Sequence, residues 1–294
     1  MEEVSSNLFR PPRVFAGEGP RTATLEEAKV VVLPVPYDGT MEYRGGAREG
    51  PQAIIDASYY LELYDVELGR EISDVGIHTL PEVQPLMSGP EAMVQRMHQI
   101  AAGLVRKDKL VAMLGGEHSL TVGMVRAYRE RYPGLSVLSL DAHTDLRDEY
   151  QGTRFSHACT MRRVWESCPV VHAGVRSLSR EEHAFMSERS IRPFYAEDLA
   201  GSDSMNRLVS GLSDHVYVSV DLDVLDPSIM PAVGTPEPGG LNWHQCLGLL
   251  RAVAGTRRIV GFDLVELCPR EGPNSCAFLA AKLAYKLIGY ATTM

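Results

Sequence analysis

The chain has 294 residues, 45% of them hydrophobic, and a formal net charge of −9 with no long run of like charges. That length supports a sizeable core, and an acidic protein without a basic stripe is a poor partner for nucleic acid or an anionic membrane but tolerates cationic ligands. No eighteen apolar residues run together, no basic segment leads into an apolar one at the N-terminus, and the five cysteines form no Cys-x-x-Cys pair, so a soluble, unexported, cytoplasmic protein with reduced thiols is expected.

In chain order, residues 1 to 25 read as an N-terminal arm that packs on a neighbouring subunit, followed by the apolar run VVVLPV at 30 to 35. GGAREG at 45 to 50 matches neither dinucleotide nor phosphate-loop patterns. A helix follows whose Met93, Val94, Met97, Ile100, Ala101 and Leu104 share one stripe, with Ser88 and Glu91 as a capping box. Further runs are LVAML at 110 to 114, LSVLSL at 135 to 140, VVHAGV at 170 to 175, VYVSV at 216 to 220 and IVGFDLV at 259 to 265. Helices are expected over about 244 to 254, stopped by Gly255, and over about 275 to 289. Continuous rather than alternating hydrophobicity suits parallel strands covered on both faces, and strands alternating with helices predict a mostly parallel, doubly wound α/β sheet. No linker or repeat divides the chain, so a single domain over residues 1 to 294 is expected.

Three of these strands end in metal-ligand residue types. His118 follows LVAML, Asp141, His143 and Asp145 follow LSVLSL, and Asp221 and Asp223 follow VYVSV. The carboxyl ends of strands in an open α/β sheet form its ligand crevice, so the three segments converge there. Side chains two apart on an extended segment share a face, which turns each Asp pair into one pocket. Two carboxylates about 4 Å apart repel by roughly 4 kcal/mol at an effective dielectric near 20, so the cluster needs a cation. Carboxylate and imidazole without thiolate suit a hard or borderline divalent ion such as Mn²⁺. Two His and four Asp are too many for one metal that must also bind water, but they suit two metals sharing a water that becomes a hydroxide nucleophile. Asp226, before Pro227, reads as a turn former, and His78, His98, His172, His183, His215 and His244 as structural.

GGEHS, DAHTD, SHACT, VSVDLDVLDPS, GTPEPGGL and DLVEL, taken together, resemble the ureohydrolase superfamily, the arginase and agmatinase group, over about residues 34 to 266. The resemblance implies a three-layer αβα sandwich and a homo-oligomer, trimer or hexamer. It implies two Mn²⁺ per subunit, one on His118 and Asp145, the other on His143 and Asp223, with Asp141 and Asp221 bridging. It also implies His157 as proton shuttle, Glu266 as the carboxylate that pairs with a small cationic guanidino substrate, and Asp145 as proton relay to the leaving amine.

Gly-Thr-Pro often follows the shuttle His in this family, where this chain has Ala158, Cys159 and Thr160. After DAHTD the chain has Leu146, Arg147, Asp148, Glu149 and Tyr150 in place of the Asn, Ser and Thr groups usual in arginases, a pattern more similar to the agmatinase branch. Hydrolysis of agmatine to putrescine and urea, by hydroxide attack on the guanidinium carbon, is therefore the expected reaction. The two acids of residues 146 to 150 are expected to disfavour arginine's carboxylate, and Arg147, turned inward, would oppose them. Arginase, guanidinobutyrase and formiminoglutamase activities stay open, as does a single-zinc deacetylase on the same fold. For Glu266 the competing role is an ion pair with Arg270.

Overall fold

Residues 13–17 and 23–293 are described by the structure, a computed structural model of the chain. Eight strands form one sheet: β1 (Val30–Val35), β4 (Ile77–Thr79), β5 (Leu110–Gly115), β6 (Ser136–Leu140), β7 (Val170–Val175), β8 (Phe194–Tyr195), β9 (His215–Asp221) and β10 (Arg258–Val265). Their order is β4-β1-β5-β10-β9-β6-β7-β8, parallel at every pairing. A separate antiparallel hairpin joins β2 (Tyr64–Asp65) to β3 (Arg70–Glu71).

Alternate side chains of each strand point to opposite faces, and both faces are covered. Val30 and Val32 of β1 join one core with Leu138, Val218 and Phe262, closed by α1 (Gly50–Ser58), α6 (Ser202–Ser210), α7 (Trp243–Ala254) and α8 (Ser275–Ala291). Val31 and Leu33 join the other with Met113, Val137 and Tyr217, closed by α2 (Pro90–Val105), α3 (Thr121–Arg131), α4 (Thr160–Trp165) and α5 (Arg180–Arg189). The result is the expected αβα sandwich around a doubly wound parallel sheet.

One local expectation needs correction. The capping box at Ser88 does not form: α2 starts behind Gly89 with Pro90 in its first turn, where a missing N–H is harmless. Capping boxes instead open α5, at Ser179 and Glu182, and α7, at Asn242 and Gln245. Much of residues 1 to 25 lies outside the described residues, but Phe15 and Ala16 are buried in this chain, their amides donating to Thr79 Oγ1 (2.9 Å) and Ser58 Oγ (3.0 Å). That short piece joins the core of this chain.

The hairpin is fixed to α8 by an ion cluster whose inner pair, Lys286 and Asp65, is buried. Lys286 Nζ lies 3.0 Å from Asp65 Oδ1 and 2.6 Å from Glu67 Oε2, while Arg251 Nε meets Glu67 Oε1 at 2.6 Å and Tyr290 donates to Glu67 Oε2 at 2.9 Å. The amides of Glu67 and Leu68 donate to the same Asp65 Oδ1.

Candidate metal centre

β5, β10, β9 and β6 are consecutive in the sheet, and each releases site residues at its carboxyl end. His118 follows β5, Glu266 follows β10, Asp221 closes β9 with Asp223 in the next turn, and Asp141, His143 and Asp145 follow β6. All are buried except the half-buried His143. The strand ends thus bring together residues up to 148 apart in sequence, as the Glu266 carboxylate accepting the His118 amide at 2.6 Å shows.

The local turns are built by the acids themselves. Asp141 Oδ1 accepts the His143 amide (2.6 Å) and Asp221 Oδ1 the Asp223 amide (2.9 Å), an Asx turn in each case. Asp223 Oδ1 accepts the Ala142 amide at 2.9 Å and so ties the two turns together. Asp145 (φ 50°) and Glu266 (φ 70°) hold left-handed backbone, which costs a non-glycine residue on the order of 1 kcal/mol.

Two overlapping ligand groups result: His118, Asp141 and Asp221 in one, Asp141, His143 and Asp223 in the other, each with its ligand atoms within 4.8 Å of one another. Asp145 adjoins the first, its Oδ2 3.0 Å from His118 Nδ1. Asp141 belongs to both groups and Asp221 to one. His118 Nδ1 also lies 3.3 Å from Asp141 Oδ2, but none of these close approaches has hydrogen-bond geometry, so both atoms are buried without a hydrogen-bond partner. Orphaned atoms of a base and an acid facing common space, with no thiolate in either group, fit hard or borderline divalent cations.

The electrostatics agree. Burial and the neighbouring Asp223 and Asp141 charges push the Asp221 carboxyl well above its ordinary value, and burial and Asp141 push Asp145 up to about 7. Burial alone would lower His118 and His143, yet the surrounding carboxylates raise both. Such a cluster takes up positive charge, as protons or as metal.

Surrounding groups, invisible as a set in the sequence, hold these ligands in place. His118 Nε2 meets Ser219 Oγ at 3.0 Å, and Ser219 donates to Asp263 Oδ1 at 2.6 Å, leaving Nδ1 to face the carboxylates. Asp263 also accepts Tyr217 (2.7 Å) and Thr121 (2.9 Å). Glu182 Oε1 accepts Thr144 Oγ1 (2.7 Å) and the Leu146 amide (3.0 Å), fixing the loop after β6. The Arg176 guanidinium donates to the carbonyls of Asp223 (2.6 Å) and Glu237 (2.8 Å). Asp226 is the turn former expected, accepting the Ser228, Gly239 and Gly240 amides, and its hydrogen bonds hold the carboxyl down at about 2.

A cavity of about 280 Å³ opens on this cluster, lined by His143, Asp145, His157, Asp221, Asp223 and Glu266 among others. Burial lowers His157 below its ordinary value, so the ring is neutral near pH 7. Thr40 Oγ1 lies 3.3 Å from His157 Nδ1, accepts the His157 amide at 3.0 Å and donates to the buried Glu117 Oε1 at 2.9 Å. Burial pushes the Glu117 carboxyl up to about 7 against the hydrogen bonds of Ser119 and Thr40. Glu266 has no ion pair with Arg270, which binds Glu49 at 2.6 Å.

The acids expected at the cavity within residues 146 to 150 are elsewhere. Asp148 is held by Arg163 (2.6 Å) and Arg154 (3.0 Å), Glu149 is exposed, and neither lines the cavity. The rim acid is Glu42, which accepts Tyr150 OH at 2.6 Å, and Arg147 lies over the Tyr150 ring at 4.6 Å. Glu237 stands 3.8 Å from His143 Nε2. Local segment charge gives no hint that Arg154 and Arg163 turn Asp148 aside.

Comparison with known proteins places this geometry. The family model described as the arginase family matches residues 28–289. The N(1)-aminopropylagmatine ureohydrolase of Synechocystis sp. is 39% identical, covering 97% of this chain and 96% of its own. The agmatinase of Pyrococcus horikoshii is 37% identical over 91% and 94%. The solved agmatine ureohydrolase of Thermoplasma volcanium superposes with a TM-score of 0.87 at 31% identity, over 97% and 96% of the two chains. The chain belongs to the arginase family, the ureohydrolases.

Proposed function

We propose that this arginase-family chain hydrolyses the guanidinium end of a linear polyamine cation, with agmatine cleaved to putrescine and urea. The observation that carries this is Glu266, a buried carboxylate with no lysine or arginine partner among the described residues, set beside two overlapping His/Asp groups in one cavity. A second substrate, N1-aminopropylagmatine, is favoured by the Synechocystis relative's name and by the Glu42 rim, which suits one more ammonium group; its product would be spermidine.

When bound, two divalent ions such as Mn²⁺ supply charge that balances the aspartates and make water acidic enough to serve as nucleophile near pH 7. Glu266 pairs with the guanidinium and holds its carbon in line with the cluster. Asp145, whose Oδ2 lies 3.0 Å from His118 Nδ1 and which lines the cavity, takes the proton that the attacking water loses and passes it to the departing amine. The C–O bond forms first, making the carbon tetrahedral, and the C–N bond breaks once the amine nitrogen has received the proton, giving urea and the free amine. Neutral His157 then exchanges the remaining proton with solvent.

Urea release with Mn²⁺ across agmatine, N1-aminopropylagmatine, arginine and 4-guanidinobutyrate, compared by kcat/KM, tests this. The two polyamine cations should exceed the two carboxylates by on the order of 100-fold, since the Glu42 rim repels a carboxylate and Arg147, in the same lining, lies over the Tyr150 ring. Equal efficiency on arginine or 4-guanidinobutyrate refutes the substrate class. The same proposal includes a single domain and a cytoplasmic homo-oligomer, trimer or hexamer, which a monomeric mass by light scattering contradicts.

A further inference from the structure

The Thr40 hydroxyl has one proton and two lone pairs, and its surroundings assign all three. One lone pair accepts the His157 amide, whose donor role is fixed (3.0 Å). The proton lies toward Glu117 Oε1 at 2.9 Å, and the same carboxylate accepts the Thr40 amide at 2.6 Å through Oε2. If the hydroxyl turned its proton to His157 instead, a lone pair would face the carboxylate oxygen. With Glu117 ionised, the second lone pair therefore meets His157 Nδ1, 3.3 Å away, and can only accept.

Glu117 cannot easily move to relax this. It is fully buried, receives Ser119 Oγ as a further donor, and its own amide donates to Tyr37 O at 2.8 Å. At the adjoining Gly116 a Cβ would collide with the same Tyr37 carbonyl, so the loops carrying Glu117 and Thr40 abut with no room between them.

We propose that Glu117 and Thr40 are positioning residues that lock His157 in the tautomer with its proton on Nδ1, leaving Nε2 as the proton acceptor for the cavity. A neutral imidazole accepts at only one nitrogen, so without the lock the ring would divide between an accepting and a donating form at Nε2. This rests on the shuttle role given to His157 above. Ser156 Oγ, 3.4 Å from the same Nδ1, is the competing partner and would favour the other tautomer if it donated.

Ring-¹⁵N NMR of the full-length chain labelled at histidine, recorded at pH 8.5 and assigned with His157→Gln, reads the tautomer directly. A protonated Nδ1 and a bare Nε2 are expected in the wild type, in Ser156→Ala and in Thr40→Ser. Thr40→Val, which removes the acceptor, and Glu117→Gln, whose amide donates to Thr40 and frees its hydroxyl to donate to Nδ1, should both move the proton to Nε2. With Mn²⁺ and agmatine or its aminopropyl derivative, Thr40→Val should lose roughly 10- to 100-fold in kcat at nearly constant KM, with Thr40→Ser close to wild type. A bare Nδ1 in the wild type, or a tautomer that follows Ser156→Ala rather than Thr40→Val, overturns the lock, and the wild-type spectrum decides this even if a variant fails to fold. Unchanged kcat in His157→Ala overturns the shuttle role instead, and is distinguishable because the spectra do not depend on turnover.

Discussion

Around Lys286 two carboxylates, Asp65 and Glu67, meet two cations, Lys286 and Arg251, whereas at the strand ends Asp141, Asp145, Asp221, Asp223 and Glu266 gather around only two imidazoles. The clamp is closed: each of its acids has a cationic partner and further donors, and both carboxyls sit below their ordinary values despite burial. The strand-end cluster is open, with orphaned atoms on His118 and Asp141 and with Asp145 and Asp221 raised. Buried charge by itself therefore does not mark a site. Charge left unbalanced by the chain does, because something from outside must balance it.

The sharpest test of that contrast is metal removal. Chelation should abolish activity, with recovery on adding Mn²⁺. It should also lower stability by about 2.7 kcal/mol for each ion held at 100 times its dissociation constant, read as a fall in Tm. The clamp should respond instead to its own chemistry. Lys286→Met leaves the buried Asp65 without its cation, while the exposed Glu67 keeps Arg251, and should cost about 3–5 kcal/mol by denaturant unfolding, with kcat of the surviving folded enzyme unchanged. Because the folded-state values of both acids are depressed, the clamp's contribution is complete above their ordinary values of 3.8 and 4.5 and is lost as pH falls below them. In Lys286→Met that acid-side loss should shrink.

His157 stands between the two cases, a half-buried base that desolvation keeps uncharged. His157→Ala should reduce kcat by about 100-fold or more while KM hardly moves. In the wild type, kcat should fall on the acid side only below pH 6.5, since burial lowers this imidazole and it must be neutral to accept a proton. An acid limb above pH 6.5, or a KM effect alone, contradicts the role. The smallest effect is the most diagnostic. Asp221→Asn relieves repulsion in the metal-free chain and should stabilise it by about 1 kcal/mol, whereas Asp65→Asn should destabilise it. Opposite signs in thermal unfolding uphold the contrast, and equal signs break it.

Much of this was legible in the sequence. The six long apolar runs are six of the eight strands of the sheet, because strands buried on both faces announce themselves by continuous hydrophobicity. β4 and β8 escaped because three and two residues at the sheet edges need no such run. The clustering of the candidate ligands was legible since strand ends converge by topology. Glu117, Asp263 and Glu237 lay inside the same motifs without being singled out, because their roles depend on Thr40, Tyr217 and His143, partners 46 to 94 positions away in the chain. The side-chain direction of Asp148 depended in the same way on arginines beyond its own segment.

The position of β10 also sets when the centre can come into being. It is the last strand made, yet it lies between β5 and β9 in the middle of the sheet. A nascent chain that has reached residue 250 already contains His118, Asp141, His143, Asp145, Asp221 and Asp223, but β5 and β9 have no strand to join them. During synthesis the half of the sheet that carries His118 and the half that carries the aspartates remain separate, and they become one surface only when residues 258–265 are threaded between them.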